Sequence, residues 1–276
     1  MANLDHFFTC HTLVACHDAG AAQMIFDNTS ENVRHRCTFM LKGPATTIFS
    51  GYASVDPEGP LLPPEVDNVV TGTGWQDKLE FRILSEAGRM GVPNIAVVDR
   101  ATNFELRFSR EGETVEPSTI LVPEYELSKL PADSNKKNIR GFVDDSWQRQ
   151  IETIRRETAK NRPLDSLFIG QPLVNDHGRP DFEIQYRFLR RWLASQASDS
   201  LTGFRPHPSD RSKLPADLCH KVALSDPNMT ASEDISRAST VIGIDSFLLE
   251  LSAQAGKQTF RCIEYDHQLT IEECRQ

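Results

Sequence analysis

Short apolar runs alternate with amphipathic stretches along the whole chain, and this alternation limits the possible folds more than any other feature. Runs of three to five residues such as Leu13-Val14-Ala15-Cys16 and Ile95-Ala96-Val97-Val98 are too short for helices and read as strands buried on both faces. The stretches between them carry apolar residues every three or four positions and read as helices. Strand and helix in turn make βα units, a parallel sheet and an α/β fold.

The first strand is expected at Thr12–Cys16, the loop at His17-Asp18-Ala19-Gly20 and a helix from Ala21. Strands follow at Cys37–Leu41, Asn68–Thr71, Ile95–Val98 and Ile120–Val122, with an irregular loop over residues 51–66. Gln76–Met90 reads as a helix with Leu79, Ile83, Leu84 and Ala87 on one stripe, ended by Gly91. Residues 131–145 are polar, and the crossover between domains is expected near 140–160, with a helix over Trp147–Lys160. In the second half, strands are expected at Ser166–Ile169, Leu201–Arg205, Lys221–Leu224, Thr240–Ile242 and, last, Thr259–Cys262. Helices are expected at Phe182–Ala197, Ser232–Arg237 and Asp245–Ala255. The expectation is two Rossmann-like domains, 1–145 and 146–276, facing a central cleft, alike in architecture without a sequence repeat.

A chain of 276 residues and net charge -9 is long enough for two small domains, and its acidity argues against generic nucleic-acid binding. No apolar run approaches a membrane span, and the first residues lack a signal-peptide layout, so a cytoplasmic protein is expected. The six cysteines form no C-x-x-C pair; Cys16, Cys37 and Cys262 read as buried strand thiols rather than metal ligands or disulfides. No metal site and no cofactor is expected, and oligomeric state is not legible.

In open α/β sheets, ligands gather at the carboxyl ends of strands. The residues found there are His17, Asp18 and Gly20; Gly72, Thr73 and Gly74; Asp99; Gly170 and Gln171; His207 and Ser209; and Asp245 and Ser246. Ser246 opens a helix, where free N–H groups suit a phosphate, and Glu250 lies one turn on, where a carboxylate can accept hydrogen bonds from a ribose. Plain N-capping by Asp245 or Ser246 is the alternative. Arg205-Pro206-His207-Pro208-Ser209 is a proline-stiffened loop directly after a strand, able to aim an imidazole at a phosphate. Arg205 is either a phosphate partner or a structural ion-pair residue. Asp18 or His17 can deprotonate a hydroxyl, unless Asp18 simply caps the following helix. Gly72-Thr73-Gly74 lacks the third glycine of a dinucleotide fingerprint and the lysine of a P-loop, so it reads as a backbone lining for substrate. Trp75 reads as a sugar-stacking face or a packing residue, and Arg107 as a partner for Glu80 or Asp99.

The His-Pro loop, the later strand–Ser246–helix–Glu250 segment and the following Gly256 resemble the donor half of GT-B glycosyltransferases, over roughly residues 164–262. They are most similar to capsule-polysaccharide and sialyltransferase-like families. The resemblance implies that His207, Pro208 and Ser246 bind the donor's phosphate and that Glu250 contacts its ribose. Gly72–Glu80 and Asp99–Phe108 resemble the N-terminal half of GT-B-like proteins from polysaccharide loci. His17-Asp18-Ala19-Gly20 departs from the acidic Asp/Glu-Asp/Glu-Gly motif of the sialyltransferase-like enzymes. The implied function is a glycosyltransferase-like enzyme using a nucleotide-activated sugar and a small-molecule or glycan acceptor, in polysaccharide or glycoconjugate biosynthesis. No D-x-D motif occurs, which points to metal-independent transfer. The alternatives are a nucleotide-sugar hydrolase or 2-epimerase on the same fold, or a non-catalytic nucleotide-binding relative.

Overall fold

The computed structural model describes residues 4–9, 11–74, 77–132, 138–158, 163–171, 173–174, 180–207, 210, 213–265 and 268–274. The chain divides into two compact units, Met1–Ser146 and Trp147–Gln276.

In the first unit, strands β1 (Thr12–Cys16), β2 (Thr38–Leu41), β3 (Ser54–Val55), β4 (Asn68–Thr71) and β5 (Asn94–Val97) are joined by helices α1 (Ala19–Asn28), α2 (Glu31–Arg34), α3 (Ala45–Ile48) and α4 (Leu79–Met90). A hairpin of β6 (Ser109–Arg110) and β7 (Glu113–Thr114) precedes β8 (Thr119–Pro123) and β9 (Ile139–Phe142). The main sheet runs β3-β2-β1-β4-β5-β8-β9, and its pairings are parallel. Every residue of β1 is buried. Alternate side chains of a strand point to opposite faces. Val14 and Cys16 accordingly pack with Ala22 and Ile25 of α1, while Leu13 and Ala15 pack with Leu79, Ile83 and Ala87 of α4. This two-sided burial is why β1 carries no polar alternation. Gly91 ends α4 at φ 71°, donating its N–H to Ala87, a left-handed turn that glycine adopts without strain.

Two segments expected to be irregular are strands at the sheet's edges. Ser54–Val55, inside the expected 51–66 loop, pairs with Phe39 and Met40. Ile139–Phe142, inside the expected polar connection, pairs with Ile120–Pro123. Cys37, expected as a buried strand thiol, is half-buried, precedes β2 and donates to the Val33 carbonyl at 3.2 Å. Cys16 and Cys262 are buried within strands.

Helix α5 (Asp145–Thr158) leads into the second unit. There Trp147 Nε1 donates to Gln254 Oε1 at 2.8 Å, tying α5 to a later helix. The second unit contains β10 (Leu164–Ile169), a small pair β11 (Leu173–Val174) and β12 (Pro180–Asp181), α6 (Glu183–Ser195), β13 (Thr202–Arg205), β14 (Val222–Leu224), α7 (Ala231–Ser236), β15 (Ala238–Gly243), α8 (Phe247–Gln254), β16 (Gln258–Tyr265) and β17 (Gln268–Glu273). Its sheet runs β14-β13-β10-β15-β16-β17. All pairings are parallel except β16 with β17, a strand beyond the last one expected from sequence. Phe168, Phe204, Tyr186, Phe188 and Trp192 make the core between this sheet and α6.

Counting only the main-sheet strands of each unit in chain order, both sheets begin 3-2-1-4-5-6, the doubly wound Rossmann order. In each, the order reverses beside the first strand.

Candidate functional site

Ligands of doubly wound sheets bind where the strand order reverses, at the carboxyl ends of the strands. In the first unit that place lies past Cys16 of β1 and Thr71 of β4. The structure brings His17, Asp18, Gly20, Gly72, Thr73, Gly74 and Asp99 together there. Asp18 is the N-cap of α1, its Oδ1 accepting from the Ala21 N–H at 3.0 Å. Its other oxygen, Oδ2, is buried with no hydrogen-bond partner. A Cβ on Gly74 would lie 3.0 Å from Oδ2, and one on Gly72 3.3 Å. A Cβ on Gly20 would fall 2.1 Å from Asp99 Oδ2. Glycine at these positions is what lets two carboxylates approach the main chain so closely.

Asp99 is held by Arg107, whose Nη1 donates to Oδ1 at 2.8 Å and to Thr73 Oγ1 at 3.0 Å. Of the two partners considered for Arg107, it takes Asp99. Burial raises the Asp18 carboxyl above the usual carboxylate range and the charge of Asp99 adds to this, while the Ala21 N–H and Arg107 act against it. The His17 ring lies against Gly43, where a Cβ would come within 2.8 Å of Nε2, and His17 Nδ1 is buried without a partner. The main-chain N–H of His17 donates to Glu80 Oε1 at 2.6 Å. Glu80 is 1% exposed, and burial pushes its carboxyl up to about 7. From the sequence alone Glu80 reads only as an optional partner for Arg107. Its signal was a lone acid between Leu79 and Phe81 in the first turn of a helix following a Gly-x-Gly strand end. A carboxylate with raised proton affinity is suited to take a proton from a hydroxyl near neutral pH.

In the second unit the corresponding place lies past Ile169 of β10 and Gly243 of β15. Ser246 caps α8, its Oγ accepting from the Leu248 N–H at 3.3 Å. Gln171 links the two strand ends: its N–H donates to Gln185 Oε1 and its Oε1 accepts from the Asp245 N–H, both at 2.8 Å. The main chain of the His-Pro loop runs against Gly170, where a Cβ would meet the Arg205 carbonyl at 2.9 Å and the His207 nitrogen at 3.2 Å. Helix α6 clamps that loop. Asp210 donates its N–H to the His207 carbonyl at 2.8 Å, and its Oδ2 accepts from Gln185 Nε2 at 2.9 Å and Tyr186 OH at 3.1 Å. His207 is half-buried; burial pulls its imidazole below the usual histidine range, against the opposing pull of Asp210.

The remaining expected residues are placed as follows. The Arg205 guanidinium donates to the Met229 carbonyl at 3.0 Å and pairs with Asp234. Asp245 is exposed, with Oδ1 3.4 Å from Arg261 Nη2. Glu250 lies half-buried in the first turn of α8. Ser209, Pro208 and Trp75 lie outside the described residues. Gln171, expected as a strand-end residue, lies where the ends of β10 and β15 meet, whereas Gln185 and Asp210 make contacts at the loop without being expected from the sequence as site residues.

A cavity of about 540 Å³ opens elsewhere in the second unit, beside Leu201 and Val222 at the amino-terminal ends of β13 and β14. The candidate site lies at the opposite ends of the strands, where the order of the sheet reverses and the polar side chains converge. Among the described residues, no group of three or more His, Cys, Asp or Glu is arranged to hold a metal ion, and no helix is long and apolar enough to cross a membrane.

No family model matches the chain, and no curated protein matches it in sequence. Solved structures do match in shape. The UDP-GlcNAc 2-epimerase from Neisseria meningitidis, solved with UDP-GlcNAc bound, superposes with a TM-score of 0.51 at 12% identity, over 90% of this chain and 81% of that one. The glycotransferase of kitacinnamycin superposes with a TM-score of 0.51 at 11% identity, over 95% and 82%. The fold is of the GT-B type. At such identities the likeness extends to the fold alone, and a fold of this type does not fix the chemistry.

Proposed function

We propose that this GT-B chain is a nucleotide-sugar-using enzyme that transfers a sugar to a hydroxyl acceptor. The observation that carries the reading is Asp18, a carboxylate of raised proton affinity whose Oδ2 has no partner, at the first unit's reversal point. Residues 1–145 serve the acceptor and 146–276 the donor. Asp18 takes the proton of the acceptor hydroxyl, the acceptor oxygen bonds to the anomeric carbon, and the bond from that carbon to the donor phosphate breaks. The departing phosphate rests on the start of α8, with Ser246 and the neutral imidazole of His207 as donors. Arg205 serves by fixing the loop that carries His207, Asp245 lies at the helix start, and Glu250 meets the ribose. His17, Gly20, Gly72, Thr73, Gly74 and Asp99 line the acceptor side. Ser209 extends the donor loop. No step here calls for a metal ion.

A second reading is 2-epimerisation, supported by the likeness to the Neisseria enzyme and by a second carboxyl, Glu80, beside Asp18. One experiment separates the two. The protein is incubated with a panel of nucleotide sugars, with and without hydroxyl acceptors, and products are read by NMR. Transfer yields a glycoside and free nucleotide only with acceptor. Epimerisation leaves the nucleotide sugar intact with inverted C-2, and hydrolysis frees sugar without acceptor. Failure of every nucleotide sugar to bind removes the proposal.

A further inference from the structure

Among the described residues, six buried side-chain nitrogen or oxygen atoms lack a hydrogen-bond partner: His17 Nδ1, Asp18 Oδ2, Thr71 Oγ1, Glu80 Oε2, Arg110 Nε and Asp234 Oδ1. All but Asp234 belong to one place. His17, Asp18 and Thr71 lie at the ends of β1 and β4, Glu80 takes the His17 N–H, and Arg110 Nη2 donates to the Gly74 carbonyl at 3.1 Å. Buried polar groups are rarely left unpaired, so such a concentration marks a spot where polar matching yields to another demand.

Glu80 is the most deeply placed of the carboxyls there. One oxygen of Glu80 would stand 3.3 Å from a Cβ on Gly74, and Asp18 Oδ2 would stand 3.0 Å from the same point. We propose that Glu80 is a positioning residue for Asp18: its buried carboxyl holds the His17–Asp18 turn through the main chain, and its charge is set against that of Asp18 across Gly74. The proposal deepens the reading of Asp18 as the base and rests on it for its catalytic meaning.

Titratable and charged groups come to this strand end from three elements. From β1 and its loop come Cys16, His17 and Asp18; burial keeps the Cys16 thiol protonated. From the segment around the hairpin come Arg107, engaged with Asp99 and Thr73, and Arg110, engaged with the Gly74 and Asp77 carbonyls. From the helix start that carries Glu80 come Asp77 and Lys78. Among the described residues no ion pair reaches Glu80, so Asp18 is the charge that opposes it. Burial lifts the Glu80 carboxyl to about 7 and the Asp18 charge adds to the lift, while main-chain N–H groups, its own first and then those of His17 and Asp18, oppose it. Folded protein therefore keeps a proton that the unfolded chain releases above the ordinary value of 4.5, and stability falls as pH rises from 4.5 through about 7.

Two activity-free measurements on the full chain test this. Thermal unfolding is followed from pH 4.5 to 8.5 for the wild type, Glu80→Gln, Asp18→Asn and the double variant. The part of the wild-type decline that runs up to about 7 should be lost in Glu80→Gln, leaving only the fall that the raised Asp18 carboxyl contributes, and its midpoint should move to lower pH in Asp18→Asn. A wild-type decline in Glu80→Gln, or an unmoved midpoint in Asp18→Asn, overturns the proposal. Hydrogen exchange of the peptide covering residues 16–21 is then compared. Glu80→Ala should speed it about tenfold, and Glu80→Gln, which keeps an acceptor for the His17 N–H, should restore it. Equal protection in Glu80→Ala and wild type also overturns the proposal. Turnover of nucleotide sugars by Asp18→Asn separately tests the base: if that variant keeps full activity while melting and exchange behave as stated, the base assignment fails and the Glu80 lock stands.

Discussion

Arg205 and Asp234 form an ion pair in which the carboxylate is 1% exposed and the guanidinium side chain 20% exposed. The pair ties the end of β13, just before the His-Pro loop, to α7. Removing one partner of a buried pair strands the other, at a cost of about 3 kcal/mol. Asp234→Ala should lower the unfolding free energy in urea by about that amount. A change below roughly 0.5 kcal/mol, the range of ordinary surface substitutions, would show that the pair does not hold the loop.

Gly20→Ala places a methyl group 2.1 Å from Asp99 Oδ2. Asp99 cannot retreat without loosening Arg107 and, through it, Thr73. The expected loss is about 1–3 kcal/mol, the range for overpacking a tight site. Chemical denaturation of the variant checks it, with Gly20→Ser expected to be no better tolerated.

Gly88 offers the opposite sign. It lies exposed within α4, and a Cβ there would meet nothing within 4 Å. Gly88→Ala should stabilise the chain by about 0.5–1 kcal/mol. The same denaturation experiment reads both glycines, so local packing rather than glycine content decides the sign.

His207 gives a pH test of the donor site. Its imidazole sits below the ordinary 6.5 because of burial. The unfolded chain therefore takes up a proton first, and the free protein loses stability as pH falls from 6.5 through the lower folded value. A bound diphosphate favours the imidazolium, so affinity for a nucleotide sugar should rise over that same fall in pH, by about tenfold. Calorimetric titration between pH 5 and 8 measures it. His207→Ala should bind more weakly and without this pH dependence; a flat wild-type profile would take His207 out of the donor site.

The strands buried along their whole length, β1, β4 and β5, were legible from their apolar runs, and β10 was legible from Ser166 on, past its exposed Asp165. Helix α4 and its Gly91 stop were legible because the stripe is regular and the left-handed residue is a glycine. The edge strands escaped notice for the converse reason. Ile139–Phe142 has only Phe142 fully buried, and Ser54–Val55 is exposed, so neither carries the two-sided apolar signature. The strand-end residues were legible by position, since topology puts polar groups there. Glu80, Gln185 and Asp210 were not, because their roles come from tertiary partners: a main-chain N–H sixty-three positions away in one case, and a loop clamped across from α6 in the others. No local periodicity encodes such distances.

The repeated strand order has a consequence for how such a chain can diversify. Each unit carries its own core and its own polar rim, and the rim residues follow strands whose packing does not depend on them. The loop after β1 can be rewritten while the loop after β13 is kept, and the reverse. Under the proposed assignment of acceptor and donor, one half is then free to change what it recognises while the other retains its ligand, and specificities are recombined two at a time rather than redesigned whole.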